Sequence, residues 1–410
     1  MSVRPPHAPL VQFPIVDDVL QVGGIPLPRL AERIGATPFY AYDRAALTER
    51  VALLRRHLPP TIHLHYAMKA NPMPALVQHM ATLVDGIDIA SGGELKIALD
   101  TPMAPGLISF AGPGKSDADL RSAVAAGVVL NMESEGEMER LAVIGAALGI
   151  TPKVAIRVNP DFELKSSGMK MGGGPKQFGV DAERVPAMLR RVGELDLDFY
   201  GFHIYSGSQN LKAASLQDAH EKTFALAIRL AADAPRPLRT LNIGGGFGIP
   251  YFPGEERLDL AAVGENLGRL LPDVYAALPG VRIDIELGRY LVAEAGVYVS
   301  RVIERKVSRG QVYLVTDGGL HHHLSASGNF GQVIRKNYPV VVGNRVREGE
   351  RETASVVGPL CTPLDLLADQ MDLARADTGD LVVVLQSGAY GLSASPREFL
   401  GHPAAREALV

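Results

Sequence analysis

The chain has 410 residues, of which 47% are hydrophobic and 21% charged, with a formal net charge of -4. This is an ordinary globular composition with room for two domains, and the absence of any basic block or long apolar run excludes a nucleic-acid binder, a membrane-surface binder and a membrane-spanning protein. A single cysteine, Cys361, excludes a disulfide within the chain and points to a reducing, cytoplasmic compartment.

The N-terminus, Met1 to Asp18, carries prolines and no apolar core of signal-peptide length, so it reads as a mature start. After an early segment, Val22 to Gly35, come Phe39-Tyr40-Ala41-Tyr42 and a helical pattern from Asp43 to Leu58. Asp43 is placed as the N-cap, and Leu47, Val51, Leu54 and Leu58 recur at helical spacing. Strand-like runs then follow at Ile62–Tyr66, Gly86–Ala90, Leu107–Ala111, Val128–Glu133, Lys153–Val158, Leu197–Ile204, Thr240–Ile243 and Val281–Glu286. Amphipathic patterns such as Ser116–Ala126, Ser134–Leu148, Ala182–Val192, Leu216–Ala232 and Leu260–Leu278 lie between them. Regular alternation of this kind predicts an α/β protein with a (β/α)8 TIM barrel over residues 38–290. A doubly wound open sheet is the alternative, with fewer strands. Beyond Val292 short β runs dominate, at Val297–Val299, Val302-Ile303, Val312–Val315, Val340–Val342, Ser355–Val357 and Leu381–Leu385. A helical period shows only around Pro363–Gln370. Residues 291–410, with the N-terminal segment 1–37, are therefore expected to form a β domain.

A closed barrel carries its chemistry at the carboxyl ends of its strands. Those ends are rich in reactive residues here: Lys69, Asp88 with Ser91 and Glu94, Asn131 and Glu133, Arg157 and Asn159, His203 and Ser206, Gly244-Gly245-Gly246, and Glu286 with Arg289. Lys69 closes the first strand within Tyr66-Ala67-Met68-Lys69-Ala70-Asn71-Pro72. A lysine there is either a solvated surface charge or a partly desolvated amine able to attack a carbonyl. The glycine run after strand seven is either a tight turn or a phosphate cradle, with Ser206 and Arg289 as further donors. Glu286 is either a buried ion-pair partner of Arg157 or Arg289, or the partner of a cationic ring nitrogen. His321-His322-His323 does not place its rings on one face, so it is no zinc motif, and no metal is expected. The long loop Glu163–Phe178 follows strand five and is a candidate lid. A nucleophilic lysine, a phosphate cradle, a carboxylate for a ring nitrogen and the flat imidazole of His203 together describe pyridoxal 5'-phosphate.

These motifs, with His203-Ile204-Tyr205-Ser206-Gly207, Glu286-Leu287-Gly288-Arg289, Gly358-Pro359-Leu360-Cys361 and Gly388-Ala389-Tyr390, resemble the alanine-racemase-like (fold type III) pyridoxal phosphate decarboxylases. That group contains the diaminopimelate, ornithine and arginine decarboxylases, and the likeness runs from about Val22 to Gly401. The resemblance implies a barrel plus a β-barrel domain built from both chain ends. It assigns Lys69 as the Schiff-base lysine, His203 as the residue stacking on the ring and Glu286 as the partner of the ring nitrogen. Ser206, Gly244, Gly245, Gly246, Arg289 and Tyr390 hold the phosphate, with Asp88, Glu94 and Arg157 in support. It also implies a head-to-tail homodimer in which Cys361 reaches the partner's site as a third catalytic residue, beside Lys69 and His203.

The sequence departs from the familiar members where substrate is recognised. Thr362 stands where an acidic residue usually follows the cysteine, and Leu287 where proline is usual. Gln386 or Ser387 replaces a glutamate, and Asp317 to Tyr338 lacks an arginine–proline pattern. The chain looks most like the branch found in natural-product and exopolysaccharide gene clusters, whose members include decarboxylases of glutamyl groups tethered to acyl carrier proteins. The expected activity is decarboxylation of an L- or meso-amino acid, free or carrier-bound. Diaminopimelate decarboxylation, racemisation and a non-catalytic pyridoxal phosphate protein are the alternatives.

Overall fold

The structure, a computed structural model, describes residues 5–9, 11–163, 169–170, 172–332, 335–347 and 349–410. It divides into two compact units. One comprises Arg50–Gly248 and Leu258–Gly288; the other comprises Ile249–Arg257, Arg289–Val410 and the described residues up to Glu49.

The first unit is a closed parallel barrel. Its strands are β1 (Ile62–Ala67), β2 (Gly86–Ile89), β3 (Ile108–Phe110), β4 (Val129–Met132), β5 (Lys153–Asn159), β6 (Asp198–Ile204), β7 (Thr240–Gly245) and β8 (Arg282–Leu287). Each pairs in parallel with the next, and β8 returns to β1. Closure removes both sheet edges, which settles the choice between barrel and open sheet. The alternation in β8 shows how the barrel is filled. Ile283, Ile285 and Leu287 are buried, while Arg282 and Asp284 between them line a cavity shared with His65, Ser109, Asn131 and Asn242 of other strands. The interior is therefore polar over much of its depth.

The connecting helices start where hydroxyl residues meet the first turn. Ser116 accepts from the Asp119 N–H while Asp119 reaches back, a reciprocal box that starts the helix Asp117–Ala126. Ser91 and Ser134 cap Gly92–Leu99 and Glu135–Leu148 by accepting from the N–H groups of Glu94 and Glu137, without the reciprocal bond. Such caps satisfy amides that would otherwise lack partners in each first turn. The candidate lid lies partly outside the described residues.

The second unit holds a mixed sheet in the order Val340–Val342, Leu381–Val384, Gly296–Ser308, Gln311–Thr316, Arg351–Val357, Leu366–Ala374. The strand Phe39–Tyr42 pairs antiparallel with Gly296–Ser308 and parallel with Arg406–Leu409. Phe39, Ala41, Val297, Val299, Leu381 and Val383 form its core with Leu20, Val22, Leu27 and Leu30. Phe39–Tyr42 thus belongs to this sheet and not to the barrel unit in which the sequence reading places it. All four of its residues are buried, so no alternation marks its face, and the helix after it imitates a β/α unit. The segment read as helical around Pro363–Gln370 is the start of the strand Leu366–Ala374, antiparallel to Arg351–Val357. Its Leu, Ala, Gln and Met favour helix locally, and sheet pairing overrides that preference.

Candidate active site

At the carboxyl end of the barrel, β1 runs into a single 3-10 turn, Met68–Ala70, that carries Lys69. Lys69 Nζ lies 3.5 Å from Glu286 Oε1 and 5.3 Å over the ring of Tyr205. The lysine side chain is 39% exposed and that of Glu286 only 6%. Glu286 Oε2 is 2.9 Å from His203 Nε2, and His203 Nδ1 is buried without a hydrogen-bond partner among the described residues. Burial opposes ionisation of Glu286, but Lys69 and His203, with Arg157 further off, outweigh it and hold the carboxyl well below its ordinary range. The result is a buried anion between an approachable amine and an imidazole with one nitrogen to spare.

The remaining predicted residues of this unit sit around that centre. Arg157 on β5 pairs with Glu133 Oε1 at 2.9 Å and lies 4.9 Å from the ring of Phe178. Its ion-pair partner is thus Glu133, whose other oxygen accepts from the Gly179 N–H at 3.1 Å. Asp88 is buried on β2. Glu94 Oε2 accepts from the Ala90 N–H at 2.7 Å; burial raises its pKa, against that bond and the charge of Lys69. Ser206 is buried just after β6. The segment after β6 runs beside the glycine turn: the Asn210 N–H donates to Gly246 O at 2.9 Å, and the Gly248 N–H to Asn210 O at 2.8 Å. Gly244 and Gly246 have φ of 70° and 73°. A Cβ on Gly246 would come 2.2 Å from Gly207 O, so only glycine lets these two backbones pass.

Three predicted residues belong to the second unit. Arg289 lies 4.7 Å from the ring centre of Tyr390 and donates from Nη1 to the Tyr251 hydroxyl at 3.1 Å. Burial disfavours its charge, but the phenols of Tyr251, Tyr390 and Tyr338 more than offset that. Cys361 is exposed. Near it, Asp365 is buried and accepts from the Leu320 N–H at 2.6 Å and the Leu360 N–H at 2.8 Å. The three consecutive histidines take different partners, although the ring centres of His321 and His322 lie 3.7 Å apart. His322 Nε2 meets Pro403 O at 2.8 Å, His323 Nε2 meets the Ser387 hydroxyl at 2.8 Å, and His321 lies beside His402.

The donor set fits pyridoxal phosphate. An approachable lysine, a buried carboxylate held ionised, an imidazole with an unpartnered nitrogen and a glycine turn without room for side chains are the groups the cofactor requires. Sequence reasoning missed Tyr251, which engages Arg289, and His65, which lies inside the barrel next to Asp88. The alternation of β1 is the one signal that could have turned His65 inward.

Comparison with known proteins agrees. Residues 44–293 match the family described as pyridoxal-dependent decarboxylase, pyridoxal binding domain. The chain is 38% identical over 379 residues to the L-glutamyl-[BtrI acyl-carrier protein] decarboxylase of Niallia circulans, covering 91% of this chain and 88% of that protein. It is 32% identical over 397 residues to the diaminopimelate decarboxylase of Aquifex aeolicus, covering 96% and 91%. Among solved structures, the diaminopimelate decarboxylase of M. jannaschii in complex with L-lysine superposes with a TM-score of 0.89 at 23% identity, covering 98% of this chain and 93% of that one. The chain belongs to the pyridoxal-dependent decarboxylases of the alanine-racemase-like fold, the group of diaminopimelate and ornithine decarboxylases, and is a pyridoxal-phosphate-dependent amino-acid decarboxylase.

Proposed function

We propose that the substrate is an amino acid with a free α-carboxylate and no free distal ammonium. An acyl amino acid carried as a thioester on a carrier protein, like the glutamyl group named for the Niallia circulans relative, is the class that fits. One observation carries this reading: Asp365 and Asp317, the acidic groups that could replace the missing carboxylate, have other work. Position 362 is threonine. Asp365 spends both oxygens on the amides of Leu320 and Leu360. Asp317 accepts from the Thr37 hydroxyl and, at 2.8 Å, from the Arg301 N–H. With their oxygens held by backbone amides and a hydroxyl, these carboxylates are fixed where they stand, and a distal ammonium beside Thr362 would lack a carboxylate to pair with directly, at a cost of several kcal/mol. A neutral thioester avoids that cost.

Pyridoxal phosphate, when bound, supplies the electron sink that makes loss of carbon dioxide from an α-carbon feasible. The chain's own residues divide the remaining work. Lys69 would hold the cofactor through its amine. Glu286, kept ionised, holds a proton on the ring nitrogen, and His203 fixes the orientation of Glu286 while offering a flat face. Ser206, Gly244, Gly245 and Gly246 of the barrel unit would hold the phosphate, and Arg289 and Tyr390 are the residues of the second unit assigned to the same task. Arg157 and Asp88 support the ring's surroundings. Cys361, contributed across a homodimer interface, returns a proton to the product carbon.

The test is carbon dioxide release from a glutamyl thioester of pantetheine, measured beside free meso-diaminopimelate, lysine and ornithine. The expected preference for the thioester is on the order of a hundredfold or more. Efficient turnover of free meso-diaminopimelate would return the chain to the diaminopimelate decarboxylases. Inversion without carbon dioxide release would make it a racemase.

A further inference from the structure

Inside the barrel lies a second set of charges. Arg282, at the amino end of β8, makes a two-point pair with Asp284, Nε to Oδ1 at 2.7 Å and Nη2 to Oδ2 at 3.0 Å. Asp284 Oδ2 is 3.7 Å from His65 Nε2, an ion-pair distance beyond hydrogen-bond range. His65 Nδ1 is 3.2 Å from Asp88 Oδ1. The same oxygen accepts from the Ser109 hydroxyl, which accepts in turn from Asn131 Nδ2 at 3.2 Å. Asp88 Oδ2 is buried without a hydrogen-bond partner among the described residues. His65, Asp284 and Asp88 are 2%, 3% and 6% exposed.

The order of charges matters. With a protonated His65, the groups read cation, anion, cation, anion from Arg282 to Asp88, and the ladder is neutral. With a neutral His65, two buried carboxylates would share one arginine, which a low-dielectric interior strongly disfavours. The backbone makes room for the ring: a Cβ on Gly86 would lie 2.4 Å from both Cε1 and Nε2 of His65. Beside the ring is a cavity of about 20 Å³, the size of one water molecule, bordered by Ser109, Asn131, Asn242 and Asp284.

We propose that His65 is a positioning residue for Asp88: as the buried cation of this ladder it fixes Oδ1, which leaves Oδ2 as the oxygen that serves the cofactor. The proposal rests on the reading of Asp88 as a cofactor residue. Burial alone would strip the proton from His65, but Asp88 and Asp284 outweigh it, with Arg282 opposing, and push its pKa up to about 9. The other titratable groups along the two strands are His63, which burial shifts down, Tyr66, and Glu286, the register neighbour of His65 on β8.

Two measurements test it. In the apoprotein, an imidazole ¹⁵N titration should find His65 doubly protonated at about pH 7, and Asp88→Asn should lower its midpoint by a unit or more. A singly protonated ring at about pH 7, or a midpoint indifferent to Asp88→Asn, overturns the proposal. Next, the affinity of apoprotein for pyridoxal phosphate is measured in His65→Gln, Asp88→Asn and the double variant. His65→Gln should weaken binding about tenfold in the native background and much less beside Asp88→Asn. Equal losses in both backgrounds overturn the link to the cofactor. Borohydride labelling of the native holoenzyme separates the two failures. Label on a lysine other than Lys69 overturns the cofactor reading and this last step with it, whereas label on Lys69 with additive losses overturns this inference alone. If His65→Gln fails to fold, the titrations of the native protein and of Asp88→Asn decide.

Discussion

Lys69 and Glu286 divide one ion pair unequally. The amine is 39% exposed and the carboxylate 6%, so the amine can leave the pair toward an incoming aldehyde while the anion stays fixed. Borohydride reduction of the holoenzyme should therefore leave the pyridoxyl group on the peptide containing Lys69. Lys69→Ala should lose turnover on the order of a thousandfold while its unfolding free energy moves by no more than about 1 kcal/mol, because the residue stands in a turn and not in packed core. Comparable losses of activity and stability would mark Lys69 as structural. At this scale the sequence was informative where a residue ends a strand, as with Lys69, His203 and Glu286. It left Arg157 or Arg289 as the partner of Glu286, and only the register of the barrel set Glu133 beside Arg157. His65 went unread for a related reason: the alternation of β1 could turn it inward, but nothing in its spacing says which charges it meets there.

The strands turn these single residues into a system. β8 alone carries Arg282, Asp284 and Glu286 at alternate positions, so one extended segment contributes to the buried ladder and to the lysine site. The ladder has a consequence for stability. His65 has a pKa of about 9 in the folded barrel and 6.5 when unfolded, so the folded state binds more protons between those values. Its contribution is full below pH 6.5 and disappears as pH rises through about 9, a loss of about 3 kcal/mol. Urea midpoints should fall over that range in the native protein and stay nearly flat in His65→Gln. Parallel slopes for the two would show that the ladder does not couple to folding. The barrel's strands and capped helices were legible because their apolar periods and their Ser and Asp starts are local features. The strand Leu366–Ala374 was not, because its residues favour helix and only the neighbouring strand decides otherwise.

At the scale of the molecule, the chain is read as a homodimer with shared sites, and Cys361 is the residue that makes the sharing testable. It is exposed, as a group acting outside its own subunit must be. Lys69→Ala and Cys361→Ala chains, each inactive alone, should regain up to about a quarter of native activity when mixed, since hybrid dimers hold one intact site of two. No recovery despite measured subunit exchange would assign both residues to the same chain's site. The strand Phe39–Tyr42 has a different kind of consequence. It is flanked by Gly296–Ser308 and Arg406–Leu409, and the Val410 N–H donates to Tyr42 O at 2.8 Å. During synthesis, a segment made among the first residues must wait for partners made about 257 and 367 positions later. Meanwhile Phe39 and Ala41, which have no solvent exposure in the finished core, stand unpaired while every strand of the barrel is already available to close. The order of translation thus leaves the sheet unit as the last to mature, and its exposed early strand as the place where a growing chain is most open to mispairing with a neighbour.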